Sequence, residues 1–217
     1  EAPAAALRVE ESFLSVVRPS RVHDVINPRV VLDPHGEPSW VSDSGRALSD
    51  EDLGHIDALC AEVNSAWRME IAVVLLDSLP EDVHPAGFAA ALLNYWGVGD
   101  KRLHTGLLAL LLLGQRRLEV RTGYGAGRVI KPELLQSIQE ERMLPHLRAS
   151  EPGAALEVLV RSISEAMEKD GPPHWRRAAA SPAAAEPNRH GFGGGQTPID
   201  EFIPGKQRSG GESGGGR

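Results

Sequence analysis

Residues 71–76 read Ile-Ala-Val-Val-Leu-Leu and decide the fold, because this short stretch is apolar at both its odd and its even positions. A strand with that pattern is covered on both faces by other elements of the protein. Asp77 and Ser78 follow the stretch and end it. The pattern therefore predicts a central strand packed between helices.

Helical patterns flank this strand on both sides. Ser49, followed by three acidic residues, predicts a helix start, and an apolar residue recurs every three or four positions from Leu53 to Trp67. After the strand, Pro85 predicts the first turn of a second helix and Gly97 its end. The strand thus lies between two helices in the sequence.

The rest of the central region predicts a hairpin and two more helices. Residues 107–113 and 117–122 flank Gly114-Gln115 as two strands flank a turn. Helical spacing returns over 133–144 and again over 156–167. The order α-β-α-β-β-α-α predicts an α/β protein, a three-layer α/β/α sandwich around a small mixed central sheet.

The two ends of the chain differ from this centre. We predict an extended lead-in over 1–39, which includes a short helix at 7–17, and a folded domain over 40–170. Residues 171–217 hold 11 of the 23 glycines and 6 of the 16 prolines, which predicts a disordered tail.

Composition excludes several classes of protein. The net charge of −7 argues against nucleic acid as a partner, because phosphate binding needs a basic face, and it leaves room for a divalent cation. The single cysteine, Cys60, excludes an internal disulfide and is expected to be a small buried hydrophobic residue. The longest aliphatic run, 107–113, is too short to span a bilayer. We expect a monomer with an unknown protein partner.

A glycine-rich stretch at 123–127 follows the second hairpin strand. Its spacing differs from the dinucleotide fingerprint, and Lys131-Pro132 intervenes before the next helix. We therefore interpret this stretch as a mobile turn that needs positive φ angles rather than as a nucleotide site.

Three carboxylates are the candidate metal ligands. Asp43 precedes the first helix, Asp77 ends the central strand, and Asp100 lies in the loop after the second helix. Loops beyond the carboxyl ends of strands gather at one edge of an α/β sheet, and Ca²⁺ binds several oxygens at once. The alternative interpretation is that each aspartate is a solvated loop residue or a cap.

Several stretches together resemble the TPM domain family. The resemblance covers about residues 40–169, and its most specific part is Trp-Gly-Val-Gly-Asp-Lys at 96–101, followed by Gly106. The other matching stretches are 40–43 (Trp-Val-Ser-Asp), 47–49 (Ala-Leu-Ser), 70–74 (Glu-Ile-Ala-Val-Val) with 78–79 (Ser-Leu), 117–125 (Arg-Leu-Glu-Val-Arg-Thr-Gly-Tyr-Gly) and 143–145 (Met-Leu-Pro).

The resemblance implies an α/β/α sandwich, an extracytoplasmic (periplasmic or envelope-associated) and membrane-associated setting, and divalent-cation binding, usually of Ca²⁺, with Mg²⁺ less favoured. For plant relatives it implies an acid phosphatase and a role in photosystem repair. The chain departs from the family pattern in two places, with His104-Thr105 before Gly106 and Lys131-Pro132 after the glycine loop, where the family usually has acidic or amide side chains. We therefore expect weakened or lost Ca²⁺ binding.

Three functions follow from these observations. The first is a Ca²⁺-binding module with a role in membrane-protein or envelope maintenance through protein contacts. The second is a metal-assisted acid phosphatase, in which the cation would polarise a phosphoryl oxygen. The third is an interaction domain whose metal site has decayed. The sequence favours the first, because it shows no nucleophile, base and phosphate clamp together.

Overall fold

A computed structural model describes residues 18–30 and 39–177 and shows an α/β protein built on a four-stranded mixed sheet. The strands are β1 (Val41–Asp43), β2 (Glu70–Leu76), β3 (Gly106–Leu112) and β4 (Arg117–Thr122), in the spatial order β1-β2-β3-β4. The first three strands are parallel, and β4 is antiparallel to β3. The predicted fold class is confirmed.

The helices form a layer on each face of this sheet. One layer contains α1 (Asp50–Ala66), α3 (Ala126–Val129), α4 (Pro132–Ser137), α5 (Leu144–Arg148) and α6 (Pro152–Asp170). The other contains α2 (Pro85–Trp96) and a 3₁₀ turn, Val22–Asp24. A second 3₁₀ turn, Pro173–Trp175, follows α6.

The alternation of side chains along β2 explains its apolar sequence. The odd positions from Ile71 to Leu75 pack in the core beneath α1 and α6, and the even positions from Ala72 to Leu76 pack beneath α2. All seven residues of β2 and all seven of β3 are buried. Successive side chains of a strand point to opposite faces, so both faces must be covered.

The helix boundaries follow the predicted signals. The Ser49 hydroxyl accepts a hydrogen bond from the Asp52 N–H and caps α1. Gly97 ends α2 with a left-handed φ of 61°. The predicted helix over 133–144 is longer and irregular, because a π-helical segment, Ile138–Met143, joins α4 to α5. Pro145 has no N–H to donate to the α-helical series of hydrogen bonds. The wider π-helical turn just before it accommodates the missing hydrogen bond.

The folded domain extends beyond both of its predicted boundaries, because chain segments on either side of the range 40–170 pack on it. Val22 and Val25 of the predicted lead-in are buried against the α2 layer. Trp175, in the predicted tail, is buried in the α1–α6 core, and the next residue, Arg176, pairs with Trp67 in a β-bridge. The predicted helix at 7–17 and the tail from 178 to 217 lie outside the described residues.

The glycine stretch at 123–127 differs from its predicted conformation. In the described residues, the glycines with positive φ are Gly97 and Gly99, and residues from Ala126 onward form α3. Glycine is required at 123 and 125 because a Cβ there would lie 2.4 Å from the His104 carbonyl oxygen and 1.8 Å from that of Leu103. The prediction that this turn needs positive φ angles is wrong, and close backbone packing explains the glycines instead.

Candidate functional site

The three candidate aspartates lie at two opposite edges of the sheet. Asp43 is in register with Leu75, and Asp77 follows β2, so both lie at the carboxyl edge of these neighbouring parallel strands. Asp100 precedes β3, and the register of Glu70 with Gly106 places it at the amino edge. Seven strand residues separate the edges by about 20 Å. The expected convergence of all three therefore does not occur.

Asp43 holds the turn that leads into α1. Its two carboxylate oxygens accept hydrogen bonds from the backbone N–H groups of Ala47, at 3.0 Å, and Leu48, at 2.8 Å. A carboxylate in this position satisfies N–H groups that would otherwise lack partners. The aspartate is thus a structural cap.

Asp77 is engaged by a cation. Its Oδ2 accepts a hydrogen bond of 2.6 Å from Arg18 Nε and one of 3.2 Å from the Ser78 hydroxyl. Both side chains are substantially exposed, at 57% for Arg18 and 40% for Asp77, so the ion pair is a weak surface contact. A divalent cation at this edge would have to compete with Arg18.

Asp100 ties its own loop together. Its Oδ1 accepts from the backbone N–H groups of Arg102, at 2.8 Å, and Leu103, at 3.1 Å. Its own N–H donates to the Thr105 hydroxyl over 3.3 Å. The alternative interpretation of the aspartates, as loop caps, describes Asp43 and Asp100 well.

The Trp-Gly-Val-Gly-Asp-Lys stretch is a backbone scaffold. A Cβ on Gly99 would lie 2.2 Å from the Gly106 nitrogen, and a Cβ on Gly106 would lie 2.0 Å from the Val98 carbonyl oxygen. Gly99 also has a φ of 100°, which side-chain-bearing residues rarely adopt. These glycines let the loop after α2 lie directly on the start of β3.

A buried ion pair lies beside this loop and is not among the features predicted from the sequence. Glu70, which is 8% exposed, accepts hydrogen bonds from Arg29 Nη1 at 2.6 Å and from the Gly99 N–H at 2.7 Å. Arg29 Nη2 donates to the Trp96 carbonyl oxygen at 2.6 Å. The sequence feature that could have indicated this ion pair is an acidic residue at the first position of an apolar strand, because a buried charge needs a partner.

His104 and Thr105, the first departure from the family pattern, also lie at the amino edge. The Thr105 side chain is fully buried, and its hydroxyl contacts the Arg68 carbonyl oxygen. His104 has a left-handed φ of 53°, and its carbonyl accepts from the N–H groups of Gly125 and Ala126. Pro132 begins α4. His104 and Thr105 therefore serve the backbone of the amino edge, and Pro132 serves the start of a helix.

The donor set falls short of a full Ca²⁺ site. Across the residues that the structure describes, no three His, Cys, Asp or Glu side chains form a group that could hold a metal ion. Ca²⁺ takes six to eight oxygens, whereas the carboxyl edge supplies the Asp43 and Asp77 carboxylates, both already hydrogen-bonded. Water would have to supply most of the ligands of an ion at this edge.

Cys60 has the buried position expected of it. Burial in the α1 core raises the pKa of its thiol, and the negative charge of the nearby Asp57 raises it further. Such a thiol is a poor nucleophile, because the reactive species is the thiolate.

Comparison with known proteins identifies the family. The TPM domain family matches residues 41–166, more than half of the chain, and the chain therefore belongs to this family. The chain is similar to the N-terminal domain of a protein from P. gingivalis solved by NMR, with 29% identity and a TM-score of 0.61 over 69% of this chain and 92% of that chain. No curated protein sequence matches it.

A second solved structure agrees in fold. The NMR structure of the BA42 protein from the psychrophilic bacterium Bizionia argentinensis has 13% identity and a TM-score of 0.53, over 64% of this chain and 92% of that chain.

In the described ranges, 18–30 and 39–177, none of the helices is both long enough and apolar enough to cross a membrane.

Proposed function

We propose that this chain is a TPM-type module that acts through protein contacts, with a role in maintaining membrane proteins or the cell envelope. The observation that supports the proposal is the use of the family's signature residues. The Asp100 carboxylate closes its own loop, and the signature glycines let that loop lie on β3. Signature residues that serve backbone packing are better suited to a rigid scaffold for binding than to a reactive centre.

We propose further that Ca²⁺ binds weakly, and at the carboxyl edge. Asp43 ends β1 and Asp77 follows the neighbouring parallel strand β2, so this edge carries two aspartates, one of them paired with Arg18. Two carboxylates with water as the remaining ligands suit a dissociation constant of about a millimolar. The amino edge is unfavourable for a cation, because Lys101 and Arg102 adjoin Asp100.

Calorimetric Ca²⁺ titration of two matched variants tests whether Ca²⁺ binds at the carboxyl edge and not at the amino edge. Asp43→Asn and Asp100→Asn each remove one negative charge from a loop aspartate that accepts two backbone hydrogen bonds. Asp43→Asn should weaken Ca²⁺ binding at least fivefold, and Asp100→Asn should leave it within twofold. Tight binding that Asp100→Asn abolishes would overturn the proposal.

The phosphatase alternative has less support from the geometry. The Cys60 thiol is buried, and the three aspartates are held by backbone N–H groups or by Arg18. Phosphoryl transfer requires a positioned nucleophile and groups that stabilise charge on the phosphoryl oxygens. Turnover of para-nitrophenyl phosphate that requires Ca²⁺ and falls at least a hundredfold in Asp43→Asn would reinstate it.

The proposed setting is extracytoplasmic and membrane-associated. Membership of the TPM domain family is its support. Fractionation of the source cells, followed by immunodetection of the chain, tests it. Recovery with the envelope fraction is expected, and recovery with the cytosol would contradict the proposal.

A further inference from the structure

Charge is divided between the two edges of the sheet. Loops at the carboxyl edge carry a group of acidic residues (Asp43, Asp50, Glu51, Asp52, Asp77, Glu81 and Asp82). The amino edge carries a group of exposed cations that we call the basic edge (Arg68, Lys101, Arg102, Arg128, Lys131 and Arg177). The molecule is thus electrostatically polarised along its strands.

Direct hydrogen bonds join several segments of the basic edge. The Arg177 N–H donates to the Ala66 carbonyl oxygen at 2.9 Å, at the carboxyl end of α1. The next link is the contact of the Thr105 hydroxyl with the Arg68 carbonyl oxygen. The His104 carbonyl then accepts from Gly125 at 3.0 Å, which joins the loop of Lys101 to the loop that leads into α3. The segments that carry Arg68, Lys101, Arg102 and Arg177 are therefore adjacent, together with the loop that leads to Arg128.

The charges of these cations are open to an outside partner, although the Arg177 Nε also donates a hydrogen bond of 2.9 Å to the Asn64 carbonyl oxygen. Across 18–30 and 39–177, no carboxylate forms an ion pair with any of the six. By contrast, Arg29 is paired with Glu70 and Arg176 with Glu168 nearby. The Asp100 carboxylate is engaged by backbone N–H groups. The exposed acids Glu133 and Asp170 flank the region and leave it in positive excess.

The shape and composition of the surface favour a broad anionic partner. It is built from loops and helix ends, and Tyr124 stands 80% exposed within it. Tyrosine is enriched where a protein meets the headgroup region of a membrane, and clusters of four to eight Lys and Arg residues bind anionic lipids. Anionic lipid headgroups match both features, whereas an acidic peptide leaves the exposed ring unexplained.

The net charge of −7 does not prevent such docking. The acidic edge lies about 20 Å from the basic edge, along the length of β2. At physiological salt, charges beyond about 8 Å are largely screened. A surface in contact with the basic edge therefore experiences mainly its positive charge.

We propose that the basic edge docks the domain on a membrane surface rich in anionic lipid. The proposal goes beyond the binding function proposed above and does not depend on Ca²⁺. Docking in this orientation turns the carboxyl edge, with Asp43 and Asp77, away from the membrane and towards partners.

Vesicle flotation of the full chain tests the proposal. The chain should float with phosphatidylcholine vesicles that contain phosphatidylglycerol, at about 0.1 M salt, and should be released at about 1 M salt. It should stay unbound with pure phosphatidylcholine. Lys101→Gln/Arg102→Gln should lower partitioning about 25-fold, at about fivefold per cation. Tyr124→Ser should lower it severalfold without changing its salt dependence.

A matched variant controls for net charge. Arg46→Gln/Arg116→Gln makes the same change of charge in exposed turns at the carboxyl edge and should bind as the unaltered chain does. Equal loss in both double variants, or no flotation of the unaltered chain, would overturn the proposal. Binding to a fluorescent polyglutamate peptide without binding to vesicles would also overturn it and would assign the surface to an acidic protein segment.

Discussion

Substitution of Gly106 by alanine tests whether the signature stretch is a backbone clamp. The added Cβ would lie 2.0 Å from the Val98 carbonyl oxygen, 2.6 Å from its carbon and 3.2 Å from the Gly99 nitrogen. Non-bonded heavy atoms prefer about 3.5 Å, so the backbone must move by about 1.5 Å. The obstacle is main chain held between α2 and β3, so the cost should lie near the top of the overpacking range, at about 3 kcal/mol.

Thermal and urea unfolding, followed by circular dichroism, measure this cost. For a domain of this size, about 3 kcal/mol lowers the melting temperature by roughly 6–12 °C. Gly54→Ala is the matched control, because Gly54 lies in the exposed middle of α1 with nothing within 4 Å of an added Cβ. It should stabilise the protein by about 0.5–1 kcal/mol, since alanine favours a helix over glycine. If Gly106→Ala unfolds within about 0.5 kcal/mol of the unaltered chain, the clamp does not exist.

Three further predictions concern buried groups. Burial raises the pKa of the Cys60 thiol, so the unfolded state loses this proton at a lower pH than the folded state does. The free energy of unfolding should therefore fall above about pH 8.5, by up to about 1.4 kcal/mol per pH unit. Urea unfolding of Cys60→Ala should lack that part of the slope, and an identical slope would contradict the assignment. Glu70→Gln should cost about 2 kcal/mol by leaving Arg29 without its counter-charge, and Arg29→Met in the same chain should recover part of it, so purely additive costs would argue against the pair. Trp175→Ala should cost about 3–5 kcal/mol in thermal unfolding, whereas an unchanged melting temperature would mean that the segment after α6 does not pack in the core.

Local patterns predict much of the fold. The double-sided apolar stretch at 71–76, the Ser49 cap and the Gly97 stop each depend on a few neighbouring residues, and the structure agrees with all three. Strand β1 escapes prediction because it has three residues and forms through pairing with β2. Trp175 looks like part of a tail because its packing partners are distant in sequence.

The candidate site is predicted less well, for a topological reason. Residues that follow parallel strands meet at the carboxyl edge, as Asp43 and Asp77 do, but Asp100 precedes its strand and lies at the other edge. The pairing of Glu70 with Arg29 spans 41 positions, and local sequence carries no record of it. Sequence patterns therefore identify the signature loop, whereas its role depends on where the strands bring it.

Amide NMR during a Ca²⁺ titration most directly tests the central claim, that Asp100 holds its own loop while Asp43 and Asp77 form the cation-facing edge. The account predicts shifts that saturate at about millimolar Ca²⁺ and cluster at residues 43–48 and 77–78, with the amides of residues 99–105 unmoved. Saturation at micromolar Ca²⁺ with shifts centred on Asp100 would contradict it.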